Sequence, residues 1–211
     1  MRCVIIAGSP DADVEFIRTI VCDNDYVICA DKGFEYANKA GIKPNLVVGD
    51  FDSYKENNFE NYETITLNSH KDDTDTMHSI DLALERGYKS ILILGALGGR
   101  FDHTFANVSV LQYINNKGGK GVLLSKCERI EYLSQGEYCY EGYNGKTFSL
   151  FPFGCVGVTV TYSGVEYPLD NYCLKSSIPM GVSNVFTTDK SVVKINDGNA
   201  IFIINLSKSK I

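Results

Sequence analysis

Six short, continuous apolar runs in the first 125 residues constrain the fold more than any other feature of this sequence. Continuous runs predict strands that are buried on both faces, as in parallel sheets, whereas half-buried strands alternate apolar and polar residues. Helical patterns separate the later runs, with apolar residues on one face of 75–86 and of 105–114. We therefore predict an α/β domain with a mostly parallel sheet and Rossmann-like layers over residues 1–125. The six runs are 3–7, 26–30, 46–48, 64–67, 91–94 and 121–124.

The pattern changes near residue 126, where helical periodicity stops. Short strand-like runs follow one another from there to the end, separated by Gly, Asn and Pro. The clearest of them are 146–151, 157–162, 191–195 and 200–206. We predict that residues 126–211 form an all-β sandwich domain.

Charge and cysteine usage limit the classes of partner and compartment. The net charge of −6 belongs entirely to residues 1–125, because residues 126–211 have as many basic as acidic residues. No basic stripe is present, so nucleic acid is a poor candidate partner, and no apolar run is long enough to predict a membrane span. The seven cysteines form no C-x-x-C pair, and we expect them to be reduced and buried. The N-terminus reads as a strand rather than a signal peptide, and we expect a cytoplasmic protein with no membrane partner.

Acidic residues closely follow two of the predicted strands, 26–30 and 46–48. In open α/β sheets, ligands bind beyond the carboxyl ends of the strands, so Asp31, Asp50 and Asp52 occupy a favourable place. An i, i+2 spacing in extended chain would direct Asp50 and Asp52 to one side, where they can hold a magnesium ion. Asx turns or helix caps are the alternative reading of such residues.

A third acidic segment, 71–75, precedes a predicted helix. Asp73 or Thr74 can cap that helix, but capping needs one residue, whereas three aspartates lie within four positions. We therefore expect Asp72 and Asp75 to coordinate a metal or contact phosphates.

A glycine loop follows the fifth predicted strand. Gly98, Gly99 and Arg100 come between that strand and a helix, where backbone amides and a guanidinium can hold an anion. The spacing matches neither a dinucleotide fingerprint nor a P-loop, and an ordinary glycine turn is the alternative. Asp102, His103 and Asn107 follow it and could orient a substrate, although a histidine at a helix start is more often structural.

Taken in order, these segments resemble the thiamine pyrophosphokinase family. Any one of them is a weak signal, but their ordered series is specific, and the resemblance extends from Ala7 to about Phe186. The matching segments are 30–33, 44–53, 71–75, 95–103 with Asn107, 167–169 and 181–184.

The resemblance implies a magnesium-dependent enzyme that transfers pyrophosphate from ATP to thiamine and forms AMP. By that analogy Asp50, Asp52 and Asp75 hold Mg²⁺, and ATP and its phosphates lie against Asp31, Asp72, Gly98, Gly99, Arg100, Asp102, His103 and Asn107. It also implies a homodimer with shared active sites, in which Ser183 and Asn184 of the β-sandwich domain contact thiamine. From spacing alone, Ser183 and Asn184 read as turn residues.

Departures from the family pattern concern mainly the recognition of thiamine, the acceptor of the pyrophosphoryl group. The family has a glycine pair after the position of Asp31, where this chain has Lys32 and Gly33, and Val185 replaces a common acidic residue. The chain has no tryptophan, so a ring that stacks on thiamine must be Tyr or Phe. Two alternatives are a diphosphokinase for another hydroxymethyl heterocycle, such as a pterin, and a nucleotide- or thiamine-binding module without turnover.

Overall fold

The computed structural model describes residues 1–50, 62–67 and 74–207. It divides into two compact units, Met1–Ser125 and Lys126–Ile211, each with its own apolar core. The predicted positions Asp52 and Asp72 lie outside the described residues. Among the described residues, no helix is long and apolar enough to cross a membrane.

A parallel sheet forms the centre of the first unit. Every pairing between its strands is parallel, and their order across the sheet is β6-β5-β1-β2-β3-β4. The sheet thus confirms the prediction of an α/β domain from continuous apolar runs. The strands are β1 (Cys3–Ile6), β2 (Tyr26–Ala30), β3 (Leu46–Gly49), β4 (Glu63–Thr66), β5 (Ser90–Leu94) and β6 (Lys120–Leu124).

Burial in this sheet follows strand position. All residues of β1 and β3 are buried, and β2 and β5 are buried apart from their first residues. In β6 only Leu123 is buried, so the prediction of burial on both faces is confirmed there in part. That prediction is wrong for β4, whose residues are exposed except for a half-buried Ile65. The reason is its place at the edge of the sheet, where β3 is its one partner among the described strands.

The helices of this unit begin at residues that satisfy their free amide groups. Asp13 accepts a hydrogen bond from the Phe16 amide at 2.9 Å, and Thr74 accepts one from the Met77 amide at 3.2 Å. Thr74, one of two candidate caps in the sequence, therefore starts the helix that carries Asp75. The described helices are α1 (Val14–Ile20), α2 (Gly33–Ala40), α3 (Asp75–Glu85) and α4 (Phe101–Asn116).

The second unit consists of antiparallel strands in two groups, β12-β9-β14-β7 and β11-β10-β13-β8. One core takes side chains from both groups, with Phe148 and Phe202 from the first and Val160 and Val193 from the second. This sandwich-like arrangement agrees with the predicted all-β domain. Its strands are β7 (Glu128–Leu133), β8 (Gly136–Glu141), β9 (Thr147–Pro152), β10 (Gly157–Ser163), β11 (Leu169–Lys175), β12 (Asn184–Val185), β13 (Lys190–Asp197) and β14 (Ala200–Asn205).

All seven cysteines are free thiols, but the expectation that they are buried is wrong for most of them. Cys3 and Cys29 lie in the central strands and are buried, and Cys155 is half-buried. The other four are exposed, because they lie on loops or on the outward faces of strands. These are Cys22, Cys127, Cys139 and Cys173.

Candidate active site

A cavity of about 620 Å³ opens at the carboxyl ends of β1, β2 and β5, within the first unit. This is where ligands bind in parallel α/β sheets, because loops and helix N-termini surround the strand ends there. The walls come from the loop after each of these strands and from the first turns of α3 and α4. The lining residues are 7–10, 30–32, 74–76, Gly95, Ala96, Gly98, Arg100, Asp102, His103, Ala106 and Asn107.

Most of the described residues predicted for the nucleotide site line this one cavity: Asp31, Asp75, Gly98, Arg100, Asp102, His103 and Asn107. Asp50 and Gly99 are not part of the wall. Ser183 and Asn184 lie in the second unit.

Asp31 leaves β2 in a backbone conformation that few residues other than glycine adopt. Its φ is 47°, and its amide donates a hydrogen bond to the Val48 carbonyl at 2.9 Å. Such a conformation costs about 1 kcal/mol, and residues that adopt it are enriched at functional sites. The next turn is fixed because Gly33 lies directly against the Ile6 backbone, with no room for a Cβ atom. Asp31 and the exposed Lys32 are therefore held at the rim of the cavity.

Asp75 brings a second carboxylate to the same cavity. It is the first residue of α3 and is half-buried. Loss of hydration raises the pKa of its carboxyl group, and the nearby charges of Asp31 and Asp50 raise that pKa further. A cation beside Asp75 would offset this cost to its ionised form.

The donor chemistry of these aspartates fits a hard divalent cation. Magnesium is usually bound through one or two carboxylates, with water and substrate phosphates completing its coordination. Within residues 1–50, 62–67 and 74–207, no three His, Cys, Asp or Glu residues form a complete metal-binding group. Asp50 and Asp75 are the described members of the predicted set.

Arg100 and Asp102 form a two-point ion pair at the mouth of the cavity. The Arg100 Nη2 and Asp102 Oδ2 atoms are 2.6 Å apart, and the Nε and Oδ1 atoms are 3.1 Å apart. Hydrogen bonding to Arg100 holds the pKa of the Asp102 carboxyl below its usual range. Both side chains are exposed, so the pair orients the guanidinium rather than stabilising the fold.

The glycine loop is held by a carboxylate that sequence reasoning missed. The Gly99 amide donates to Asp11 Oδ2 at 2.7 Å, and the Gly98 amide donates to Thr104 Oγ1 at 3.2 Å. The loop was predicted to offer bare amides to phosphate, but these two amides have protein partners. Asp11 follows β1 in the segment Ser9-Pro10-Asp11, so the strand-end rule applied to β1 would have found it.

Asn107 and His103 on α4 form hydrogen bonds to residues close to them in the chain. Asn107 Nδ2 donates to the Ala96 carbonyl at 2.8 Å, which ties α4 to the loop after β5. The His103 amide donates to Asp102 Oδ1 at 2.9 Å. Both residues line the cavity, and Asn107 in addition holds its wall in place.

Ser183 and Asn184 differ sharply in the second unit. Ser183 is exposed with a φ of 60°, and its amide donates to Ser149 Oγ at 3.1 Å. Asn184 is buried in β12, and its side chain bonds to both backbone groups of Tyr167. Asn184 is thus a strand residue rather than the turn residue expected from spacing, and Ser183 lies just before that strand.

Comparison with known proteins identifies relatives over nearly the whole chain. Two family models match, described as "Thiamin pyrophosphokinase, catalytic domain" over residues 17–123 and "Thiamin pyrophosphokinase, vitamin B1 binding domain" over residues 135–201. Thiamine pyrophosphokinase of Bacillus subtilis is 30% identical over 205 residues, which cover 94% of this chain and 96% of the relative.

Solved structures agree with these sequence matches. The crystal structure of the Bacillus subtilis thiamine pyrophosphokinase superimposes with a TM-score of 0.87 at 27% identity, covering 97% of this chain and 99% of that one. Thiamin pyrophosphokinase from Geobacillus thermodenitrificans gives a TM-score of 0.88 over the full length of both chains. At 23% identity, that second likeness concerns the fold alone.

Proposed function

This chain belongs to the thiamin pyrophosphokinase family, and on that basis we propose that it transfers the pyrophosphoryl group of ATP to the hydroxyl of thiamine. The products are thiamine diphosphate and AMP. The observation that carries this proposal is the match of both family models, one over each compact unit of the chain. The pterin alternative is not favoured, because the second match is to a vitamin B1 binding domain. The binding-module alternative is not favoured, because the first match is to a catalytic domain.

The nucleotide is proposed to occupy the cavity at the carboxyl ends of β1, β2 and β5. Asp50, Asp52 and Asp75 would hold Mg²⁺, which when bound neutralises charge on the transferred phosphates. The surroundings of Asp75 support this role, since burial first and then the charges of Asp31 and Asp50 raise the pKa of its carboxyl group. Asp72 would lie in the same pocket.

The residues of this chain contribute mainly positioning and charge. Arg100 offers donors to the phosphates, and Asp102 holds the guanidinium in place. Gly98, in the cavity wall, and the adjacent Gly99, whose amide Asp11 holds, would let the chain approach the phosphates. His103 and Asn107 shape the wall from α4. In-line attack by the thiamine hydroxyl on the β-phosphorus then expels AMP, with the reacting atoms held in line.

The remaining parts of the proposal concern architecture and assembly. We propose helices on both faces of the parallel sheet, as in Rossmann-like folds, which leaves the strand ends open to the nucleotide. We propose a homodimer in which Ser183 and Asn184 of the β unit belong to the thiamine side of each shared site. A cytoplasmic location is supported by seven free thiols, which suit a reducing compartment.

An assay that compares two acceptors and identifies the products tests this function. Purified protein is incubated with ATP, Mg²⁺ and either thiamine or a hydroxymethylpterin, and the nucleotides are separated. We expect AMP and thiamine diphosphate in equal amounts with thiamine, and no turnover with the pterin. ADP as the product, or turnover with the pterin alone, would overturn the proposal.

A further inference from the structure

We propose that Asp11 is a positioning residue for ATP, which holds the glycine loop and thereby directs Arg100 toward the phosphates without contacting them itself. The inference rests on the proposed function and adds to it a residue from the loop after β1. The glycine loop is residues 95–99, which lie between β5 and α4.

Hydrogen bonds join the loop after β1 to the glycine loop along its length. The Ser9 amide donates to the Gly95 carbonyl at 2.8 Å, and Ser9 Oγ donates to the Leu97 carbonyl at 2.7 Å. At the far end, Asp11 Oδ2 accepts from the Gly99 amide at 2.7 Å. The two loops are therefore joined from the strand ends almost to the start of α4.

The glycine pair also packs directly against the loop after β1. A Cβ atom at Gly98 would overlap the Asp11 carboxylate, and one at Gly99 would lie 2.8 Å from Pro10 Cγ. Both glycines have a positive φ, 97° and 66°, which residues with side chains rarely adopt. Glycine loses more conformational freedom than other residues when it is ordered, so this pair needs fixed contacts to keep one conformation. Asp11 supplies such a contact to both of its members.

Arg100 takes its place from Gly99, the residue before it. The Arg100 backbone leaves the loop in an extended conformation, with φ −73° and ψ 130°, and α4 begins at the next residue. Its side chain is 73% exposed, so the place of the guanidinium depends on this backbone and on the ion pair with Asp102. Asp11 is not part of the described cavity wall, so it acts through the loop and not on the nucleotide.

A conservative variant separates the hydrogen bond of Asp11 from its charge. Asparagine at position 11 keeps an oxygen that can accept from the Gly99 amide but has no charge, whereas alanine removes both. The negative charge of Asp11 opposes the binding of phosphates, and the hydrogen bond favours it by fixing the loop. The two effects have opposite signs, so the pair of variants shows which of them dominates.

Calorimetric titration with ATP and Mg²⁺, without thiamine, measures the effect on the nucleotide site alone. Asp11→Ala should weaken ATP binding about tenfold, the typical effect of one hydrogen bond to a charged group, and Asp11→Asn should bind ATP at least about half as tightly as the wild type. In steady-state assays, Asp11→Ala should lower kcat/KM for ATP about tenfold and leave the KM for thiamine within twofold.

Two results of this titration would overturn the proposal. Unchanged or tighter ATP binding in Asp11→Ala would mean that the carboxylate competes with phosphate for the Gly99 amide. Equal weakening in Asp11→Asn and Asp11→Ala would mean that the charge, and not the hydrogen bond, is responsible.

Asp13 provides a matched control in the same segment. It is also an aspartate that accepts from a backbone amide, that of Phe16 at 2.9 Å, but this bond begins α1. Asp13→Ala should lower the melting temperature through the lost cap and leave ATP binding within twofold. An equal loss of ATP binding in this control would overturn the role of Asp11, since any aspartate of the segment would then have the same effect.

Failure of the proposed reaction would give a different result. A wild-type protein that binds ATP with Mg²⁺ but does not turn over thiamine would remove the proposed function and leave the role of Asp11 in place. A wild-type protein that binds no ATP would overturn both.

Discussion

Replacing Gly33 with alanine should damage the site from beneath, by pressing α2 away from the backbone of β1. A Cβ atom at position 33 would lie 2.6 Å from the Ile6 carbonyl carbon, and closer still to its oxygen. Carbon atoms in contact prefer separations of about 3.5 Å, so α2 must move by about 1 Å. The residues that move with it are Asp31 and Lys32, which immediately precede the helix and line the cavity.

Both function and stability should respond to this displacement. Overpacking of this kind costs about 1–3 kcal/mol, which lowers the melting temperature by several degrees in a chain of this size. A displacement of about 1 Å in a positioned site lowers kcat/KM by about 100-fold. Initial rates of AMP formation with saturating thiamine, and melting curves by circular dichroism, measure the two effects.

Gly41→Ala provides the control at the other end of the same helix. Gly41 has a φ of 71°, and no atom of the described residues lies within 4 Å of the place that a Cβ would occupy, so alanine there adds backbone strain alone. That strain costs about 1 kcal/mol and should leave kcat/KM within twofold. If Gly33→Ala retained wild-type kcat/KM and melting temperature, contact between α2 and β1 would not position Asp31.

Three further predictions concern single groups. Asp75→Asn should lower kcat by at least about 100-fold in steady-state assays. A near-normal rate in this variant would remove Asp75 from the metal site. Without Mg²⁺, the substitution should not lower the melting temperature, because the raised pKa of Asp75 means that its negative charge opposes folding at neutral pH. Titration with a thiol reagent should find four fast thiols per native chain. Cys3 and Cys29 should react only after unfolding, because both are buried and burial raises the pKa of the Cys3 thiol to about 12. Tyr162→Phe should keep or raise the melting temperature, because the buried Tyr162 hydroxyl has no partner among the described residues, whereas Tyr140→Phe should cost about 1–2 kcal/mol by removing a hydrogen bond to a carboxylate. A larger loss in Tyr162→Phe than in Tyr140→Phe would contradict that reasoning.

Local patterns in the sequence predicted the parallel sheet well, because buried strands need apolar residues at every position. Runs such as 26–30 and 91–94 became central strands. The run at 64–67 has the same appearance but forms an exposed edge, since edge position depends on strand order rather than on local sequence. The short helices α1 and α2 were not predicted, because seven or eight residues give little periodicity.

The strand-end rule recovered much of the candidate site for a physical reason. Parallel strands bring their carboxyl ends to one edge, so residues as distant as Asp31 and Asp75 reach one cavity. Partners across the fold were beyond such reasoning. The Asp11 contact with Gly99 joins residues 88 positions apart, and Asn184 reaches back 17 positions to Tyr167.

The central claim is that a pyrophosphoryl group moves as a unit, and the position of a label in ATP tests it most directly. ATP carrying radioactive phosphorus at the β position is incubated with the protein, Mg²⁺ and thiamine, and the products are separated by chromatography. The account predicts that all transferred label appears in thiamine diphosphate and none in AMP. Label that remains in ADP, beside an unlabelled thiamine monophosphate, would contradict it.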